Sequence, residues 1–287
     1  MTLHNDKPTR SQQREIARAK ARELREQHKK GQRNKKILLQ VGVVAAVLGV
    51  AAIVVALATS GGNGGAATNA EPKNFTFNDG LKLGTNLEAF TPTATPSPAP
   101  GTSPATVPNI VIYLDYQCPI CQMFEVPNQS QIESWVKDGK ATLEIHPISF
   151  LDGRGSPNEY SSRAANAAIC VAEYSPSQFF KYNSVLFENQ PAELTNGPEN
   201  SELIARAKEV GVSNADKIAS CINAKSYGTW LSLATARALS EKIPGTDLQV
   251  DGTPFILVNG QQYTFETNDE LTSPARFAQF LQTVSNN

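Results

Sequence analysis

What the chain has little of narrows its chemistry first. Across 287 residues there are three histidines and four cysteines. No phosphate-binding loop, no Ser/His/Asp set and no paired carboxylates stand out, which leaves no residue set for phosphoryl transfer, triad hydrolysis or paired-acid catalysis. Cys118 and Cys121 are the one close cysteine pair. Structural zinc sites usually show a second such pair, so zinc on the four cysteines is disfavoured and no metal ligand is assigned. His146 reads as a surface or internally satisfied side chain, and Trp135 and Trp230 read as packing anchors. No cofactor is implied.

Charge is the next absence. Residues 37–59, ILLQVGVVAAVLGVAAIVVALAT, contain no charged side chain. At about 1.5 Å per residue this run crosses a bilayer core of about 30 Å, and a buried core helix rarely runs so long without a polar face. It is also longer than the apolar part of a cleaved signal. The reading is a single transmembrane helix at 37–59 in contact with the lipid bilayer. Before it, residues 1–36 hold twelve Lys/Arg against four Asp/Glu, a charge of +8; with −1 for the whole chain, the remainder carries −9. Positive segments stay in the cytoplasm, so 1–36 is expected inside and the C-terminal part outside. The basic segment has no apolar face and reads as a topology signal near anionic headgroups, not as a nucleic-acid site.

Outside the cytoplasm disulfides persist, and all four cysteines, Cys118, Cys121, Cys170 and Cys221, lie on that side. Residues 60–72 are Gly-rich and read as a flexible linker. The stretch 91–108 is rich in proline and suits extended chain. Between them NFTFNDGLKLGTNLEAF reads as a short strand or hairpin belonging to the folded domain, placed at 73–287.

NIVIYLDY is apolar and β-branched, a buried strand. CPICQMFEVP follows as a helix with Pro119 in its first turn. Pro127 is expected to interrupt that helix before NQSQIESWVKDGK resumes it. ATLEIHPISFLD alternates Leu143 and Ile145 against Thr142, Glu144 and His146, the pattern of a strand with one polar face. Residues of about 155–242 form a helical insertion of about four helices. FILVNGQQYTF then reads as a hairpin around Asn259-Gly260, and SPARFAQFLQTV as a closing helix capped by Ser273. The fold class is α/β.

CxxC alone fits a zinc clamp, a structural staple or a redox pair. Its context favours the last. Cys118 stands where a helix begins, and unpaired N–H groups with the positive end of the helix dipole favour a thiolate there. Cys118 is therefore expected to be the nucleophile, with a lowered pKa. Cys121, one turn further in, is the buried resolving thiol. Pro119 and Ile120 between them tune the pair without adding charge. Thr253-Pro254 sits in good turn sequence, DGTP.

DYQCPIC after a strand, SSRAANAAICVAEY with LFENQ downstream, and GTPFILVNG before a hairpin together resemble the DsbA-like thiol–disulfide oxidoreductases of the thioredoxin superfamily, over nearly all of 105–287. The resemblance implies a thioredoxin-like fold with a helical insertion. It implies a cis Pro254 packed against the cysteine pair, with Thr253 offering its backbone to an extended substrate, and a structural disulfide between Cys170 and Cys221; two free buried thiols are the alternative. It implies oxidation of cysteine pairs in unfolded or exported proteins, and reoxidation by a membrane partner of the DsbB or VKOR kind. A reductase or isomerase on the same fold, or a non-catalytic binding ectodomain, is the alternative. The buried acid often found six residues before the nucleophile is absent: Ile112 stands there. Asp115 is expected to face the surface, and neither it nor Glu125 is assigned a catalytic role. Met123 or Phe124 is a candidate for a peptide groove.

Overall fold

The computed structural model describes residues 70–95 and 107–285. The basic segment 1–36, the apolar run 37–59, linker residues 60–69 and residues 96–106 of the proline-rich stretch lie outside the described residues. Among the described residues no helix is long and apolar enough to cross a membrane.

A five-stranded sheet organises the described chain. Its strands are β1 (Leu81–Leu83), β2 (Asn109–Leu114), β3 (Thr142–Pro147), β4 (Phe255–Val258) and β5 (Gln261–Gln262), in the order β1-β3-β2-β4-β5. Central β2 runs parallel to β3 and antiparallel to β4, with Tyr113 opposite both His146 and Phe255. Successive strand side chains point to opposite faces. Ile110, Ile112 and Leu114 therefore enter the main core with Leu143, Ile145, Ile256 and Val258, whereas Tyr113, Phe255 and Leu257 form a second core with Ile148 and Val250.

That second core accounts for one departure from the sequence reading. Every residue of β3 is buried, so the strand has no solvent face. His146 bonds Glu144 at 2.8 Å and stacks on Tyr113 at 4.1 Å. Both faces are covered because residues beyond β3 and around Leu239, Ile243 and Leu248 fold over the polar side.

Helix α1 (Pro119–Lys137) joins β2 to β3. It passes through Pro127 without a break, contrary to the expected interruption. A helical proline leaves a carbonyl without its N–H donor and crowds the preceding turn. The carbonyl so deprived is that of Met123; the helix is held by packing, with Phe124, Ile132 and Val136 buried on both sides of the proline, while Asn128 Nδ2 adds a bond to the adjacent Phe124 carbonyl at 2.8 Å. Tertiary packing outweighs the local preference.

The insertion between β3 and β4 contains five helices, not four: α2 (Tyr160–Tyr174), α3 (Phe179–Glu188), α4 (Asn200–Glu209), α5 (Ala215–Asn223) and α6 (Gly228–Ser240). The apparent long helix from 215 to 240 is divided at Ala224–Tyr227, where Lys225 takes a φ of 48° and the Tyr227 amide donates to Asn166 Oδ1 instead of continuing a helix ladder. Alanines let α2 be buried around most of its circumference. A disulfide joins Cys170 on α2 to Cys221 on α5, with Cα atoms 5.9 Å apart.

The N-terminal piece of the domain is stitched on at several points. β1 pairs with β3, Phe75 packs edge-on against Phe179 and Trp230, and Arg237 forms a two-pronged bond to Asp79 at 2.8 Å. At the other end Asn259 and Gly260 take φ of 49° and 79°, the positive values a two-residue hairpin requires. Helices α7 (Asn268–Leu271) and α8 (Pro274–Ser285) follow, with the Arg276 amide donating to Ser273 Oγ at the start of α8. Trp135 packs on Phe277, and Phe124 lies in the same aromatic cluster with Tyr263. Phe124 is thus a core residue and not a groove residue; Met123 is only partly buried beside it.

Candidate active site

The end of β2 and the start of α1 present the two close cysteines. Cys118 has extended backbone angles (φ −76°, ψ 115°) and occupies the N-cap of α1, with Pro119 at the first helical position. An N-cap side chain ordinarily accepts from the second or third helical N–H. Those belong to Ile120 and Cys121, and both stabilise an ionised Cys118 sulfur. Pro119 has no N–H to leave unpaired. A thiolate at Cys118 therefore fills the role that Ser or Asp fills in other helices.

The two sulfurs are unequal. Cys118 is depressed to about 7, first by the neighbouring Cys121 thiol, with further help from the Thr253 side chain and the two amides; partial burial opposes them. Cys121 is fully buried, and burial first, then the adjacent Cys118, push its thiol well above the usual range. Both are thiols in this structure. An S–H on Cys121 that donates to a thiolate on Cys118 accounts for both directions at once.

The Thr253–Pro254 peptide bond is cis, and the Cys118 Sγ–H donates to the Thr253 carbonyl at 3.3 Å. Residues 135 apart in sequence thus meet at the Cys118 sulfur. Ile120 and Met123 pack against the core from α1. Cys170 and Cys221 belong to the insertion and share no bond with the pair.

Several residues without an assigned role in the sequence also hold the site. Gln190, the last residue of LFENQ, donates through Nε2 to the Cys118 carbonyl at 3.0 Å. Gln122 donates to the Phe187 carbonyl at 2.8 Å, and Gln117 to the carbonyl of Thr195 at 3.0 Å. Three glutamines therefore fasten the cysteine turn and α1 to the end of α3 and the loop after it. No pattern in the sequence distinguishes them, since their partners are backbone carbonyls some 65 to 78 residues away. Glu125, also on α1, is buried; burial raises its carboxyl to about 8, and Asn183 Nδ2 donates to it at 3.4 Å. Asn183 also accepts from the Tyr116 hydroxyl at 2.8 Å. Asp115 is fully buried, not surface-facing as the sequence suggested. It directly follows β2, whose last three residues are buried.

Comparison with known proteins agrees with this architecture. A family model described as Thioredoxin matches residues 94–282. Reduced DsbA from Mycobacterium tuberculosis is 27% identical with a TM-score of 0.54, covering 73% of this chain and 93% of its own. The reduced disulfide bond oxidoreductase DsbG from the same organism is 28% identical with a TM-score of 0.55, covering 74% and 89%. MdbA, a thiol-disulfide oxidoreductase from Actinomyces oris, shares the fold at 22% identity, with a TM-score of 0.56 and coverage of 77% and 97%. Among curated sequences, the serine/threonine-protein kinase PknE of Mycobacterium tuberculosis is 30% identical over 151 residues, 51% of this chain. The match spans 26% of that kinase's length. A helix-capping cysteine pair facing Thr253-Pro254, on a thioredoxin-like sheet with a helical insertion, places the chain in the thioredoxin family as a DsbA-like thiol–disulfide oxidoreductase.

Proposed function

We propose that the chain is held in the membrane by residues 37–59, keeps 1–36 in the cytoplasm, and presents residues 73–287 outside it on the linker 60–72, where it oxidises cysteine pairs in exported proteins. The observation that carries the redox assignment is the inequality of the two sulfurs: Cys118 lowered to about 7 at a helix N-cap, Cys121 raised and buried one turn away. The reaction balances as two exchanges. A substrate thiolate attacks Cys118 Sγ of the oxidised enzyme, the Cys118–Cys121 bond breaks, and Cys121 leaves and takes a proton. The second substrate thiolate then attacks the substrate sulfur of the mixed disulfide, and Cys118 leaves as the more stable thiolate. The substrate loses two electrons and two protons, and the enzyme is left reduced, with one proton on Cys121 and the other shared between solvent and the Cys118 thiolate.

Thr253 supports substrate binding. Its carbonyl lies 3.3 Å from Cys118 Sγ, in reach of an extended peptide whose cysteine replaces that contact, so pairing is of the β type. Pro119, Ile120 and Pro254 shape the approach. A membrane partner of the DsbB or VKOR kind takes the two electrons and restores the disulfide, and the span keeps the domain near it.

The test is oxidation of a reduced, unfolded substrate by the oxidised protein, followed by free-thiol loss in the substrate. Cys118→Ser should abolish turnover, and retained activity would falsify the assignment. A strongly reducing measured potential would overturn the oxidase direction and leave a reductase or isomerase on the same site.

A further inference from the structure

Asp115 lies three residues before Cys118, at the mouth of β2, and is 0% exposed. Its carboxylate is held by three donors from three parts of the fold. Oδ1 accepts from the Gln117 amide at 2.8 Å and from Ser161 Oγ on α2 at 2.6 Å, and Oδ2 accepts from the Leu151 amide, beyond β3, at 2.9 Å. The backbone of the same residue serves both cysteines. Its carbonyl accepts from the Cys118 amide at 3.0 Å, and its own N–H faces the Cys121 sulfur. One residue therefore occupies the N–H groups of Gln117 and Cys118. With Pro119 lacking an N–H, the next free amides are those of Ile120 and Cys121, and these stabilise the Cys118 thiolate.

We propose that Asp115 is the positioning residue of the redox turn: its buried carboxylate ties the 115–118 turn to α2 and to the loop after β3, and so aims the Cys118 sulfur at the amides of Ile120 and Cys121 and at Thr253. This rests on the assignment of Cys118 as the reactive sulfur. It follows that ionisation of Asp115 is coupled to the reactivity of Cys118. Burial raises the Asp115 carboxyl to about 6 despite its three donors, and the nearby Asp152 raises it further. Asp152 is engaged at the start of α2, accepting from the amides of Ser161 and Ser162. Tyr116 beside it and Cys121 on α1 are the other titratable groups that feel its charge, and both are pushed up by it. Below about pH 6 the protonated carboxyl presents an O–H toward donors, loses part of its cradle, and loosens the turn.

The experiment is the pH dependence of Cys118 alkylation by iodoacetamide in the full chain, with the site of modification checked by mass and folding checked by urea unfolding. In the parent protein two inflections are expected, near 7 for Cys118 and near 6 for Asp115. Asp115→Asn should lose the lower inflection and move the upper one to higher pH, cutting the rate at pH 6.5 by about threefold to tenfold, as a shift of about half to one pK unit requires. Ser161→Ala keeps the charge and removes one donor, so it should move the lower inflection upward. Folded Asp115→Asn with an unchanged profile would overturn the proposal. If that variant does not fold, an unmoved lower inflection in Ser161→Ala overturns it. A parent protein whose Cys118 is not depressed at all removes the redox-site assignment itself, whereas a depressed Cys118 with unaffected variants removes only the role of Asp115.

Discussion

Removing the Cys121 thiol tests what makes Cys118 acidic. The helix N-terminus alone predicts a lowered pKa, but in the folded protein the neighbouring Cys121 thiol is the largest cause, ahead of the amides of Cys121 and Ile120. Cys121→Ala deletes that S–H and leaves both amides in place. A hydrogen bond to a charged group is worth about 1.5–3 kcal/mol, and one pK unit about 1.4 kcal/mol, so the loss amounts to about one to two units. Cys118 should move from about 7 most of the way back to its ordinary 9. At pH 7 the thiolate fraction then falls from about a half to about a tenth or less. Titrating thiolate absorbance in the reduced variant reads this directly. A value remaining at about 7 would show that the helix amides and Thr253 carry the depression, and that the two sulfurs do not depend on each other. The result bears on oxidising strength, because stabilising the thiolate stabilises the reduced form; each ~1.4 kcal/mol is worth about 30 mV for a two-electron couple.

Other consequences can be measured independently. Glu125 is raised from 4.5 to about 8 by burial, so between those values the folded protein holds a proton that the unfolded chain has released, and stability falls as pH rises through the window. Glu125→Gln should remove that fall: in urea unfolding at pH 5 to 8, its advantage over the parent should grow by about 1.4 kcal/mol per unit, and a constant gap would contradict the buried-acid assignment. Replacing Cys170 and Cys221 by alanine opens a cross-link 51 residues apart, which the chain-entropy relation values at about 4 kcal/mol. A loss under about 1 kcal/mol in denaturant titration would rule out that loop-closure account. Phe124 is fully buried with its ring 5.0 Å from Phe277 and 6.4 Å from Tyr263, so Phe124→Ala should cost about 3–5 kcal/mol by the same measurement. A cost below about 1 kcal/mol would mean that the cluster collapses around the gap.

Much of the site was legible because its information is local. A CxxC at a strand-to-helix junction places one sulfur at a helix cap and the other one turn inside, and neither statement needs a distant residue. Asn259-Gly260 and Ser273-Pro274 are local in the same way, and the hairpin and the last helix form there. The departures share a different cause. Pro127 carries a local breaking signal, yet α1 continues because aromatic partners on α8 and around Tyr263 hold it. Glu144 and His146 carry a local surface signal, yet they pair with each other under a cover that includes residues more than ninety positions later.

By itself the sequence determined the strand–helix–strand order around the cysteine pair, the unequal positions of its two sulfurs, the hairpin at Asn259-Gly260 and the closing helix. Periodicity, capping and turn chemistry act over a few residues and are written where they act. Only the tertiary structure decided that Asp115 and Glu125 are buried, that three glutamines fasten the cysteine turn and α1 to the insertion, and that the Cys121 thiol is the largest single cause lowering Cys118. Those outcomes depend on which surfaces exclude water and which distant carbonyls come within hydrogen-bond reach. Desolvation and long-range pairing arise only when the sheet and the insertion close on each other, so no short stretch of the chain encodes them.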